Sequence, residues 1–203
     1  MDTDVLPLFW RIRNNEQAGQ EAISLLMPMP GEEKLAEFPT SVSVVPETQT
    51  TSQDQPLDVR WSDEDTDLFM SLLDRVMDLP ESPEWVLDIT DELVQGIVQL
   101  VALVRFKHPR NTEQMLGRDI NVPREELDVG DLVAINTRHG FFLAIIVKLD
   151  SLDAICILLD PVLDQNDNTL LAESSVLQVS RMAILPSMYC DSESESPTDM
   201  PLQ

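Results

Sequence analysis

The stretch 128–149, DVGDLVAINTRHGFFLAIIVKL, sets the tightest limit on what this chain can fold into, because alternation, turn chemistry and hydrophobic content agree there on a two-stranded β unit. His139-Gly140 supplies the tight connection. The run after it places Phe141, Leu143, Ile145, Val147 and Leu149 on one face of a strand and Phe142, Ala144, Ile146 and Lys148 on the other. Residues 131–136, 141–149 and 154–159 have the length and composition of strands, with Ser151-Leu152 at the second tight connection. Residues 176–179 and 182–185 read as a fourth and a fifth short strand after a long acidic loop over 160–174.

Helical signals precede this region. Ser62 followed by Asp65 is a capping-box-like start, with acids in the first turn where the helix dipole favours them. Leu68, Phe69, Leu72, Leu73 and Val76 then recur at three- and four-residue spacing until Pro80, which predicts one amphipathic helix. A second signal starts at Ser82 with Pro83 at the first helical position, and Thr90 offers a further cap before Asp91 and Glu92. Residues 93–106 are apolar nearly all round, as in a helix central to its fold, while their β-branched content keeps a strand as the alternative.

Residues 1–60 mix Pro, Glu, Thr, Gln and Ser without sustained periodicity, and the tract 39–56 has too little apolar content to offset chain entropy. The expected organisation is a disordered arm over 1–60, a helical region over 61–106 and a linker over 107–126. A small β-barrel over 127–186 and a disordered acidic tail over 187–203 complete it. Within the arm, residues 5–12, VLPLFWRI, read as a collapsed turn or a short docking peptide.

The net charge of −24 is spread over every part of the chain except 107–126, where acids and bases balance. Such a field repels phosphate backbones and anionic headgroups, so the expected partners are proteins with basic surfaces or tails, with no direct nucleic acid and no membrane. Cys156 lies in the apolar run AICILL and Cys190 opens the acidic tail, which suits two free thiols in a reducing compartment. The start MDTDVLPLFWRIRNN lacks a long apolar core, so a secretory signal is not expected, and the densest apolar stretch is shorter than the roughly 20 residues a membrane helix needs. An intracellular place, nucleus or cytoplasm, follows as the expectation.

Gly130-Asp131-Leu132-Val133-Ala134, then Phe141-Phe142-Leu143-Ala144, then Leu158-Leu159-Asp160, resemble the spaced motif of Tudor-type domains over residues 127–185. That resemblance implies a small SH3-like barrel that binds peptide tails, often methylated lysine or arginine, in an aromatic cage. Phe141, Phe142 and Tyr189 are the rings this segment offers, and Pro161 stands where the family often has an aromatic. The expected fold is therefore α+β, a helical pair packed against a small five-stranded SH3-like β-barrel with disordered acidic tails.

Five residues are the candidates for partner binding: Phe69, Leu72 and Leu73, an F-x-x-L-L array on one helix face among acids, and the adjacent Phe141 and Phe142. Ser192, Ser194 and Ser196 sit beside acids, the context acidophilic kinases favour. No catalytic motif, cofactor or metal site is expected. The acidic loop lacks the glycine of an EF-hand, with Thr169 at that position and Ser175 where the bidentate glutamate belongs, and no zinc-ligand spacing occurs. The function expected is a non-enzymatic regulatory adaptor, with a transcription or chromatin link implied by the resemblance and the acidic segment. The alternatives are a metal-dependent hydrolase using Asp160, Asp164 and Asp167, or a viral or bacterial accessory protein binding a host factor.

Overall fold

Trp10 and Ile12 alternate with Arg11 and Arg13, and in the computed structural model of the chain this short alternation is a strand, β1 (Phe9–Asn15). The structure describes residues 8–15, 19–29, 35–45, 56–76, 88–117, 126–164, 166 and 168–190, which fall into two compact units, Met1–Lys107 and His108–Gln203.

In the first unit β1 is joined by β2 (Gln20–Pro28), β3 (Leu35–Val44) and β4 (Leu57–Arg60) in an antiparallel sheet of order β3-β2-β1-β4. Arg11 and Arg13 are held by acids of other strands of the sheet: Arg11 donates to both carboxylate oxygens of Asp58 on β4 at 2.8 and 2.7 Å, and Arg13 pairs with Glu37 on β3. Trp10 and Ile23, on adjacent strands, are fully buried. Helix α1 (Asp63–Val76) follows, then α2 (Glu92–Phe106), which packs on both α1 and β3. Asp91 caps α2, accepting from the amides of Leu93 at 2.8 Å and Val94 at 3.4 Å.

The second unit begins with β5 (Arg110–Asn111) and continues through β6 (Leu132–Thr137), β7 (Gly140–Leu149) and β8 (Asp153–Leu158). A small ribbon of β9 (Val162–Leu163) and β10 (Thr169–Leu171) precedes β11 (Val176–Ser180), and a 3-10 turn, Arg181–Ala183, leads into β12 (Ile184–Pro186). Six of these strands form one mixed sheet of order β12-β6-β7-β8-β11-β5, antiparallel except where β5 lies parallel to β11. Gly140 opens β7 at φ 121°, a left-handed conformation that glycine adopts without steric cost. The core gathers Val133, Ile135, Ile146, Cys156, Leu158 and Val179.

Several expectations are corrected here. The chain does not pack a helical pair against a closed five-stranded barrel: each unit has its own sheet, and the six-stranded one ends at β12 and β5. The helices belong to the unit of the N-terminal sheet, so the stretch expected as a disordered arm contains four strands. The physical reason is that Trp10, Ile23 and Leu25 supply a buried face for the helices to cover, which the polar tracts around them in the sequence mask. Residues 5–12 are not a free docking peptide over their described part, since β1 is an interior strand. Residues 46–55 and 191–203, and with them most of the predicted disordered tract and tail, lie outside the described residues.

Within the segment expected as a linker, residues 110–117 are also structured. After β5, the Thr112 hydroxyl donates to the Gln178 carbonyl at 2.7 Å, Leu116 bridges Thr137, and the Gly117 amide donates to Asn136 at 3.0 Å. The alternation of β7 is broken as well. Its register against β8 shifts between Ile146 and Lys148, so Leu149 packs on the same core as Phe142, Ala144 and Ile146 instead of opposite them. A bulge inserts one residue and thereby reverses the parity of everything after it.

Candidate functional site

Trp61 organises an end of the first unit where apolar surface stays open. Ser62 is the N-cap of α1 and Asp65 its third residue: Asp65 donates its amide to the Ser62 hydroxyl at 3.2 Å, and its carboxylate accepts the Ser62 amide at 2.8 Å. The residue before such a cap packs against the fourth helical residue. Here that pair is Trp61 and Thr66, joined by the indole N–H donating to the Thr66 hydroxyl at 2.9 Å. The cap also reaches into the core, because Trp10 donates its indole N–H to buried Asp65 at 3.2 Å. Trp10 stacks on Trp61 with centroids 4.8 Å apart and meets Phe106 edge-on at 5.7 Å.

Beside this cluster lies an open cleft of about 110 Å³. Leu8, Leu25 and Met27 line it from the sheet, and Trp61 and Phe69 from α1 and its approach. Ile89 and Val98 close it from the side of α2, and Thr66 is the polar residue at the wall. Asp63, Glu64 and Asp67 flank Thr66 in sequence, and Asp88 and Asp91 flank Ile89; all five are exposed. An apolar hole whose lining residues have exposed acids as sequence neighbours is suited to an apolar side chain carried on a basic segment.

The structure places the expected partner-binding residues in different settings. Phe69 is 8 % exposed, Leu72 1 % and Leu73 0 %, so the F-x-x-L-L face is already covered within its own unit, and of the three only Phe69 touches the cleft. In the second unit Phe142 packs on the core, whereas Phe141 turns the other way and meets Tyr189 edge-on with centroids 5.7 Å apart. Ser192, Ser194 and Ser196 lie outside the described residues.

Asp164 serves its own loop. One carboxylate oxygen accepts from the amides of Asn166 at 2.7 Å and Asn168 at 2.9 Å, and the other from the Asn168 side chain at 2.9 Å. These hydrogen bonds, the Asn168 side chain first, hold its pKa below the usual carboxylate value. Asp160 is exposed, and Asp167 lies outside the described residues. Among the described residues no three His, Cys, Asp or Glu side chains gather as a metal site. Cys156 is fully buried, and burial pushes its thiol up to about 12, far from the thiolate a nucleophile needs.

Of the cleft residues only Phe69 was a candidate from sequence, and Leu8, Leu25, Met27, Trp61, Thr66, Ile89 and Val98 were missed. The available signal was Trp61 itself, an aromatic immediately before a capping box and therefore aimed back over the first turn. No family model matches the chain, and no curated protein matches it significantly. Among the described residues no helix is long and apolar enough to cross a membrane.

Proposed function

We propose that this protein is a non-enzymatic adaptor whose first unit holds a partner by one large apolar side chain on a basic segment. The observation that carries this reading is the cleft beside Trp61, apolar on nearly all sides and bordered in sequence by exposed acids. Burying one Leu- or Phe-sized side chain there contributes about 1.5–3 kcal/mol, too little for stable binding alone, so basic residues of the partner meeting the acidic rim supply the rest and speed the encounter. The engagement of Asp164 within its own loop and the raised thiol of Cys156 favour this reading over the hydrolase alternative. The nuclear or cytoplasmic place belongs to the same proposal, supported by Cys156 and Cys190 standing as thiols and not as a disulfide.

Selection of random peptides displayed on phage against the full chain tests it. The enriched sequences should combine Lys or Arg with a recurrent aromatic or leucine, and Thr66→Arg should abolish their binding by laying a cationic chain over the mouth, while Thr66→Ser retains it. Enrichment without an apolar anchor, or full binding by Thr66→Arg, would overturn the reading. A second contact has its own observation, the half-buried Phe141 and Tyr189 ring pair, where a partner's cation would lie against an aromatic face. The same peptides assayed on Phe141→Ala report on it.

A further inference from the structure

The apolar cleft shares a wall with a second one. Ile89 and Val98 line both, and the second cleft, of about 160 Å³, lies where α2 packs on β3. Its helical side is Gln95, Val98 and Gln99, which at three- and four-residue spacing share one face of α2, and its sheet side includes Phe38 and Thr40. The Thr40 hydroxyl is engaged within the sheet, donating to the Ile23 carbonyl at 2.7 Å and accepting the Val42 amide at 3.2 Å. The polar chemistry offered to a ligand at this end is therefore that of two primary amides. The two clefts lie side by side across Ile89 and Val98, one apolar at the Trp61 end and the other offering amides, and together they mark the path of a groove.

We infer that this groove takes the partner segment in an extended conformation, its apolar anchor in the Trp61 end and the peptide groups beyond it hydrogen-bonded by Gln95 and Gln99. The inference rests on the reading of the Trp61 cleft as an anchor site. A glutamine amide carries donors and an acceptor, the complement of the N–H and C=O that every extended residue presents. A helical ligand keeps those groups for itself, its N–H and C=O closed in hydrogen bonds between successive turns. Recognition at the amide end is then indifferent to side-chain identity, while the anchor and the flanking charges set the choice of partner.

The test uses the full chain and the fluorescein-labelled peptide most enriched in the phage selection as the probe. Gln95→Ala combined with Gln99→Ala should weaken binding roughly tenfold, the loss expected for two peptide hydrogen bonds. N-methylation of the probe at successive peptide nitrogens beyond its anchor should weaken binding to the wild type at one or two positions and have no further effect on the double variant. Equal affinity of the two proteins, or indifference to N-methylation at every position, overturns the extended mode while leaving the anchor reading intact. Failure to enrich an anchored basic peptide at all overturns both. If the chain instead sediments as a dimer that the double variant returns to monomer, a second copy is the occupant and the inference falls.

Discussion

Gly96 and Gly117 carry the same side chain for opposite physical reasons. Gly96 sits inside α2 with nothing within 4 Å of where a Cβ would stand, so it exposes backbone and costs chain entropy with no packing in return. Gly96→Ala should raise stability by about 0.5–1 kcal/mol, read as a higher midpoint in urea at unchanged slope. At Gly117 a Cβ would run into the Asn136 side chain and approach the Thr137 carbonyl at 3.0 Å. Asn136 is 8 % exposed and cannot swing clear, and the carbonyl belongs to the backbone that Leu116 bridges. Gly117→Ala should therefore cost about 1–3 kcal/mol in the same titration. A neutral result would mean that residues 110–117 are less tightly held on the sheet than their hydrogen bonds indicate.

At the scale of elements, β1 and α1 are tied by a buried hydrogen bond. Asp65 accepts from Trp10 of β1 and from the Ser62 amide at the helix start, so one carboxylate closes the capping box and anchors it to the central strand. Trp10→Phe keeps most of the apolar bulk but leaves the carboxylate short of a donor, and should cost about 1–3 kcal/mol. Ser62→Ala removes only the cap and should cost about 1 kcal/mol, and because both act through Asp65 the double variant should lose less than the two separately. The cap itself, and the strands β6, β7, β8 and β11, were legible in the sequence, since Ser62-x-x-Asp65 and the alternation after Gly140 are local patterns. The N-terminal sheet was not. In β2 the residues Ile23, Ser24, Leu25 and Leu26 are all buried in succession, which erases a period of two, and β3 is an edge strand that tolerates Pro39 and many hydroxyls. Its pairing is made by main-chain groups, which leave no mark on composition, and β4 returns to β1 only from far along the chain. The cleft was hidden for the same reason, since Leu8, Met27, Trp61 and Val98 converge only once sheet and helices are assembled.

For the whole molecule, two electrostatic effects pull in opposite directions as pH falls. The net charge of −24 at pH 7 repels itself more strongly in the compact state than in the unfolded chain, so acidification toward the isoelectric point near 4.1 relieves strain on the fold. Against this stand carboxylates whose pKa the fold lowers from 3.8: Asp58 through its hydrogen bonds from Arg11, Asp88 through the Thr90 hydroxyl, Asp150 through the amides of Asp153 and Leu152, and Asp164 through Asn168. A group with a lowered folded pKa contributes stability above its unfolded value and loses it as pH falls through the folded one. Repulsion is therefore relieved at milder pH than that at which these hydrogen bonds are lost. The melting temperature should rise from pH 7 toward pH 5 and drop steeply only below 3.8. Salt separates the two effects: raising ionic strength toward about 0.15 M, where the screening length is about 8 Å, should raise the melting temperature at pH 7. Near the isoelectric point that gain should vanish or reverse, because the net repulsion is gone and only local pairs such as Arg11 with Asp58 remain to be screened. Calorimetric scans at two ionic strengths across this pH range check both signs, and a salt effect independent of pH would show that self-repulsion does not govern the stability of this chain.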